Sequence, residues 1–499
     1  MKKLIFMRTS LRVLVGLTVL LWVAISCGRE SYYVKEVTFP EGATLAEKVA
    51  ITARVVPTAE QLAWQKMELT AFLHFGMNTF TGSEWGSGKE DPTWFHPTDL
   101  DCDQWAKTLS EAGFKMAILT AKHHDGFCLW PTATTEHSVK NSSWKGGQGD
   151  VVREFRDACE RYGLKFGVYL SPWDRNAACY GDSPVYNELF VNQLTELLTQ
   201  YGPVHEVWFD GACGEGPNGK KQVYDWDLFR STIHRLQPQA VTAIMGDDVR
   251  WVGNERGWGR ETEWSVTVPG LEPTSADLGS RDVLAEATSV RWYPSEVDVS
   301  IRPGWFYHAY EDEQVRSLDN LMDIYFQSVG RNSVLLLNIP PDTRGHFADP
   351  DVARLLEFGD AVRALYEYDA VVDGDVIWTA QAGESREFAV DPSRSVNVVM
   401  LQEDIARGQR IEEFSVEVLV TGEAMVGAGQ VAGVSEGAAV AGVAEAGAGT
   451  WVEVARGTTV GYKRMLRFPT QSVERVRVNI LASRDEAHVA KVALFSLPE

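Results

Sequence analysis

The chain runs to 499 residues, long enough for more than one domain and a sizeable buried core. Its 69 acidic residues outnumber 47 basic ones, a formal charge of −22 that argues against nucleic acid or anionic lipid headgroups as partners. Seventeen tryptophans fit a chain that carries aromatic platforms as well as aromatic cores.

The N-terminus reads as a targeting segment. Lys2, Lys3, Arg8 and Arg12 precede an apolar run over 13–25, which is short for a transmembrane helix. Ala24, Ile25, Ser26 and Cys27 follow in the manner of a bacterial lipobox, although Ile25 stands where a small residue is usual. Residues 1–27 are therefore expected to direct export to the periplasm or cell surface of a bacterium. Cys27 would carry a lipid anchor, the one expected membrane contact. The five remaining cysteines have no metal-ligand spacing and are an odd number, so they are expected to be mostly buried thiols.

A lead-in over 28–60 gives way to alternating strand-like and helix-like segments over 61–367. Strands are expected within 69–80, 114–127, 164–174, 203–212, 240–248 and 333–341. Helices are expected over 100–112, 150–162, 186–200, 227–236 and 318–328. Strands and helices alternating at these lengths imply parallel strands with helical crossovers, and chemistry at the C-terminal strand ends favours a (β/α)8-like barrel. Periodicity fails between 248 and 312, where long functional loops are expected. From 368 to 499 short alternating strands split by turn residues predict an antiparallel β-sandwich. The Ala/Gly/Val-rich stretch 421–449 reads as a loop inserted in it.

The fourth strand-like segment, PVHEVWFDGA, organises the rest. Its apolar run ends at Asp210, and a period of two puts Trp208 and Asp210 on one side, with Val207 and Phe209 on the other. An indole beside a carboxylate on a barrel rim suits a sugar, which offers apolar CH faces and a reactive anomeric carbon. Other strand ends add His74, the Glu84-Trp85 pair, His123 with His124, and Tyr169. Glu255 follows the fifth strand. Adjacent histidines point apart on a strand and seldom chelate one ion, so no metal or other cofactor is expected. Their imidazoles suit hydrogen bonding to sugar hydroxyls.

The segments KHHDGFCLWPT, VYLSPWD, EVWFDGA, RWVGNERG and LLLNIPPDTRG together resemble the α-L-fucosidases of glycoside hydrolase family 29. The RWVGNE form is similar to the branch that cleaves α-1,3 and α-1,4 fucosyl linkages. The resemblance covers nearly the whole mature chain, and it implies a retaining exo-fucosidase acting on fucosylated oligosaccharides or glycoconjugates. It further implies Asp210 as nucleophile and Glu255 as acid/base. His74, Glu84, Trp85, His123, His124, Tyr169, Trp208 and Trp305 would surround the fucose. Retention needs two carboxyl groups about 5–5.5 Å apart, one attacking C1 and one protonating the leaving oxygen. Glu261, Glu263 and Glu296 are rival acids in the irregular region, Glu263 beside Trp264 foremost. A non-catalytic lipoprotein that binds fucosylated glycans is the alternative reading, and oligomeric state is not legible.

Overall fold

The computed structural model describes residues 36–372, 374–375, 377–420 and 449–497. The export segment with Cys27, and all of the Ala/Gly/Val-rich stretch but Gly449, lie outside them. No helix among the described residues is long and apolar enough to cross a membrane.

Eight parallel strands form one sheet curled into a nearly closed barrel. In chain order these are β1 (Leu69–Leu73), β2 (Met116–Lys122), β3 (Lys165–Leu170), β4 (Glu206–Phe209), β5 (Val241–Ile244), β6 (Arg250–Trp251), β7 (Ser295–Ser300) and β8 (Ser333–Asn338). Neighbours follow the order β5-β4-β3-β2-β1-β8-β7-β6. Across the remaining seam, the Val249 N–H donates to the Thr242 carbonyl at 3.1 Å.

The crossover helices are α1 (Cys102–Glu111), α2 (Val151–Arg161), α3 (Ser183–Gln200), α4 (Trp226–Leu236) and α5 (Leu318–Ser328), and α6 (Asp349–Tyr366) follows β8. Asp101, Asp150, Asp225 and Ser317 cap α1, α2, α4 and α5 by accepting a first-turn backbone N–H, which sets where each helix starts. Alternation along β4 works as its residue types dictate. Val207 and Phe209 pack outward against the helices, and Trp208 joins Phe72, Ile118, Tyr169 and Leu336 inside the barrel.

The stretch expected to be only loops holds two barrel strands, β6 and β7. Strand β7 has outward valines, Val297 and Val299, but its inward positions are the buried acids Glu296 and Asp298, so it reads as a segment with one solvated face rather than as an interior barrel strand.

Beyond α6, two four-stranded antiparallel sheets stack as a sandwich. Its strands are β9 (Trp378–Ala380), β10 (Ser385–Ala389), β11 (Ser395–Glu403), β12 (Ile411–Val420), β13 (Thr450–Gly457), β14 (Arg464–Ser472), β15 (Arg475–Ser483) and β16 (Ala487–Phe495). They pair as β9-β16-β11-β14 and β10-β15-β12-β13 around a valine-rich core. Strand β16 is the long central partner of β9 and β11.

The sandwich grips the barrel where the 261–265 segment passes. Gln409 donates to the Glu263 carbonyl at 2.9 Å and accepts from the Ser265 N–H at 2.7 Å. The Thr459 hydroxyl accepts from the Glu263 N–H at 3.0 Å. All five cysteines among the described residues are free thiols. Cys102, Cys128 and Cys159 are buried, Cys179 is half-buried and Cys213 is exposed.

Candidate active site

Asp210 directly follows β4, with its side chain 24% exposed at the C-terminal mouth of the barrel. The Ala212 N–H donates to Oδ1 at 2.7 Å, and the Tyr169 hydroxyl donates to Oδ2 at 3.1 Å. Tyr169 comes from the end of β3 and stacks on Trp208, centroids 5.4 Å apart. The carboxylate is thus held by a backbone amide and a phenol on neighbouring strands, a rigid mount for a reacting group.

Three histidines surround it, and their hydrogen-bond partners settle the tautomers. Asn338 gives its amide N–H groups to the Trp305 carbonyl and the Ser300 hydroxyl, so its Oδ1 faces His74. That oxygen accepts from both the backbone N–H and Nδ1–H of His74, at 3.2 and 2.8 Å. His74 therefore keeps Nε2 as an acceptor, and burial pulls its pKa down to about 3, so the ring is neutral.

The Ser171 hydroxyl donates to the Trp173 carbonyl at 2.6 Å, so its oxygen accepts from His124 Nδ1–H at 2.7 Å. His124 Nε2 is then a bare acceptor 3.6 Å from Asp210 Oδ2. Burial lowers the His124 pKa although the Asp210 charge opposes it. Two acceptors facing each other call for a donor between them, such as a sugar hydroxyl.

His123 receives the Asn78 amide N–H at Nδ1, 3.4 Å away, and so presents Nε2–H as a donor. Burial lowers its pKa also. Two imidazole acceptors and one donor thus meet the pocket, a polarity pattern suited to a polyol.

The expectation that His123 and His124 point apart needs correction. They follow the end of β2, where the chain leaves extended geometry, and their rings lie 4.2 Å apart. One donor atom from each of His123, His124 and Asp210 comes within 4.8 Å of the others, close enough for a cation. The assigned tautomer of His123 offers a hydrogen rather than a lone pair at Nε2, which favours hydroxyl recognition.

Trp85 is 55% exposed and stands edge-on to His124 and Trp173. Trp305 lies 5.1 Å from the His74 ring. Glu84 has a more specific geometry than sequence implied. Its Oε2 accepts the Trp305 N–H at 3.0 Å, and its Oε1 bonds His308 Nε2 at 2.8 Å. The carboxylate therefore also pins the 305–308 loop that carries Trp305.

Glu255 sits on the exposed loop after β6, yet burial by its neighbours raises its pKa. A hydrogen bond with the Trp305 side chain opposes that rise and the Asp210 charge adds to it. The second carboxyl thus lies in electrostatic reach of the first.

The rival acids have other work. Glu263 is buried in an ion pair with Arg250 and a second, at 3.3 Å, with Arg260. Arg260 also donates to the Val252 carbonyl at 3.1 Å, pinning the loop that bears Glu255. Glu261 pairs with Arg331 and with Arg464. Glu296 is buried under Trp208, accepting its indole N–H at 2.8 Å. The residues that sequence missed are Asn78, Ser171, Trp173 and Asn338. Each acts through a contact formed only in three dimensions: Ser171 and Trp173 lie in VYLSPWD and Asn338 in LLLNIPPDTRG, but those segments by themselves give these residues no role.

A parallel barrel whose C-terminal rim gathers a strand-end carboxylate, a second raised carboxyl, polyol-matched imidazoles and indoles defines a glycoside hydrolase. Comparison with known proteins narrows the class. The sequence profile described as Alpha-L-fucosidase matches residues 49–365. The chain is 40% identical over 446 residues to Alpha-L-fucosidase 1 of Arabidopsis thaliana, covering 83% of this chain and 82% of that one. A crystal structure from Bacteroides ovatus, provisionally titled an alpha-L-fucosidase, superposes with a TM-score of 0.86 at 58% identity, covering 94% of this chain and 79% of that one. A Ruminococcus gnavus family 29 fucosidase in complex with fucose superposes with a TM-score of 0.74 at 28% identity, covering 93% and 99%. The chain belongs to the α-L-fucosidases of glycoside hydrolase family 29, and it is a glycosidase.

Proposed function

We propose that this enzyme removes terminal fucose, α-1,3- or α-1,4-linked, from oligosaccharides and glycoconjugates with net retention at C1. One observation carries the reading. Asp210, mounted by Tyr169 and Ala212 at the tip of β4, lies in electrostatic reach of the protonation-prone Glu255 on the loop after β6.

In the first step an Asp210 oxygen attacks C1 as Glu255 gives its proton to the departing glycosidic oxygen, leaving a β-fucosyl ester. In the second step Glu255 takes a proton from water, whose oxygen attacks C1 and releases α-fucose and free Asp210. The neutral imidazoles of His74, His123 and His124 orient the hydroxyls, and the indoles of Trp208 and Trp305 supply apolar walls for the CH faces and the 6-methyl group. The fucose-bound family relative supports the choice of sugar. The linkage rests on the RWVGNE resemblance.

Proton NMR of the first product from a Lewis-type trisaccharide tests the mechanism, since α-fucose is expected and β-fucose refutes retention. Glu255→Ala should be rescued by azide as α-fucosyl azide, because azide opens the β-fucosyl ester from the opposite face. Rescue at Glu263→Ala instead would overturn the assignment. Export and lipid attachment at Cys27 complete the proposal, and palmitate labelling abolished by Cys27→Ala is the expected result.

A further inference from the structure

His123, His124 and Asp210 gather donor atoms in a way that sugar binding does not require. His124 Nε2 stands 3.6 Å from Asp210 Oδ2, and one ligand-type atom from each of the three residues lies within 4.8 Å of the others. Bonds of about 2.0–2.1 Å put the ligand atoms of a tetrahedral zinc about 3.3 Å apart. The widest gap in the trio therefore has to close by no more than about 1.5 Å to hold one ion.

Two of the three are already mounted as ligands. His124 gives its Nδ1 hydrogen to the Ser171 hydroxyl at 2.7 Å, which fixes the ring and leaves a lone pair on Nε2 facing Asp210. A ligating histidine is held in the same way, by a hydrogen bond from its other nitrogen. The Ala212 N–H at 2.7 Å anchors Oδ1 of Asp210, and Oδ2 has lone pairs for both the Tyr169 hydroxyl and an ion.

His123 needs one change. Asn78 meets its Nδ1 at 3.4 Å, at the long edge of hydrogen bonding. Moving the ring hydrogen from Nε2 to Nδ1 frees the lone pair that an ion takes. The Asn78 Oδ1 is buried without a hydrogen-bond partner, so turning that amide over supplies the moved hydrogen with an acceptor. The turn gives up the 3.1 Å bond from Asn78 to the Glu84 carbonyl.

Two imidazoles and one carboxylate suit zinc, copper or nickel, whereas calcium and magnesium take shells of oxygen. Three protein ligands leave a fourth position for water at the pocket mouth. The lone pairs that would hold the ion are those that attack C1 and orient the hydroxyls, so ion and sugar exclude each other.

We propose that His123, His124 and Asp210 bind a divalent transition-metal ion, zinc or copper, that inhibits the enzyme in competition with fucose. The ion takes no part in hydrolysis. The competition rests on the fucosidase reading above, and the binding does not.

Calorimetric titration of the tag-free, EDTA-treated enzyme with zinc chloride should show one equivalent bound, and saturating fucose should abolish the signal. His124→Gln and Asp210→Asn should each weaken zinc binding at least about tenfold. Cys213→Ser, which removes the exposed thiol on the loop after Asp210, should bind zinc as the wild type does. With 4-nitrophenyl α-L-fucoside, zinc should raise the apparent KM at constant kcat, EDTA should reverse the effect, and magnesium should have none. No binding by about 1 mM zinc, binding unchanged in His124→Gln and Asp210→Asn, or binding lost in Cys213→Ser would overturn the site. Zinc that lowers kcat at constant KM would overturn the competition. If the wild type hydrolyses no fucoside, the fucosidase reading falls while the titration still decides the site.

Discussion

Glu296→Gln should make the enzyme more stable at neutral pH and hardly alter it in mild acid. Inside the barrel Glu206 of β4 and Glu296 of β7 meet beneath Trp208, both nearly inaccessible to water. Their outer oxygens accept the indole N–H groups of Trp64 and Trp208, at 2.7 and 2.8 Å. The carboxyl groups also hydrogen-bond each other, which requires a proton between them. Burial raises Glu206 to about 7, and burial with the Glu206 charge raises Glu296 further. The folded protein therefore holds a proton on Glu296 that the unfolded chain releases near 4.5. Because the native state binds more protons, stability falls as pH rises above that value, by about 1.36 kcal/mol per pH unit for this one group. Glutamine copies the protonated acid, with its carbonyl toward Trp208 and its amide toward Glu206, and it has no proton to lose. The gain over wild type should be small near pH 5 and grow as pH rises toward neutral, because the raised Glu296 keeps its proton only in the folded state. Urea unfolding followed by tryptophan fluorescence at half-unit pH steps measures it. Parallel pH dependences for the two proteins would refute the shared-proton argument.

Tyr169→Phe removes the phenol that donates to Asp210, so kcat should fall about tenfold to a hundredfold with the fold intact, measured by steady-state kinetics and calorimetry. Glu263→Gln leaves Arg250 buried beside a neutral amide and should destabilise by about 3 kcal/mol. It should also lower kcat/KM, because the Arg260 brace on the Glu255 loop loosens, and unchanged activity would separate the sandwich contact from catalysis. Glu296→Leu strands the Trp208 indole N–H in a dry core, so KM should rise while Glu296→Gln spares it. The alkaline limb of the kcat/KM profile should follow loss of the Glu255 proton, at a value above the ordinary 4.5 because burial and the Asp210 charge both raise it. Asp210→Asn should lower that limb if the two carboxyls share the site, read from residual single-turnover rates with an activated aryl fucoside.

What the sequence displays and what it hides follow from where each residue's partner lies. Strand β4 is legible because its outward Val207 and Phe209 are apolar and its tip is acidic, so alternation and endpoint can both be seen in one line of residues. Strand β7 has the same outward alternation, Val297 and Val299, but its inward side carries Glu296 and Asp298 and so reads as solvated, and their burial is made tolerable only by Trp208 and Trp251 donating from other strands. Strand β6, two residues long, is too short to express any period. The same logic separates the candidate acids. Glu255, Glu261, Glu263 and Glu296 are indistinguishable as glutamates in an irregular stretch, and only their neighbours sort them: arginines for Glu261 and Glu263, an indole and a second acid for Glu296, Trp305 and the Asp210 charge for Glu255. The carboxyl fitted to give up a proton during the reaction is the one left without a cation and at the surface of the pocket. That is a property of the assembled barrel, so the chain suggests Glu255 only through the family resemblance, whereas the proposed nucleophile Asp210 also stands out by its place at a strand end.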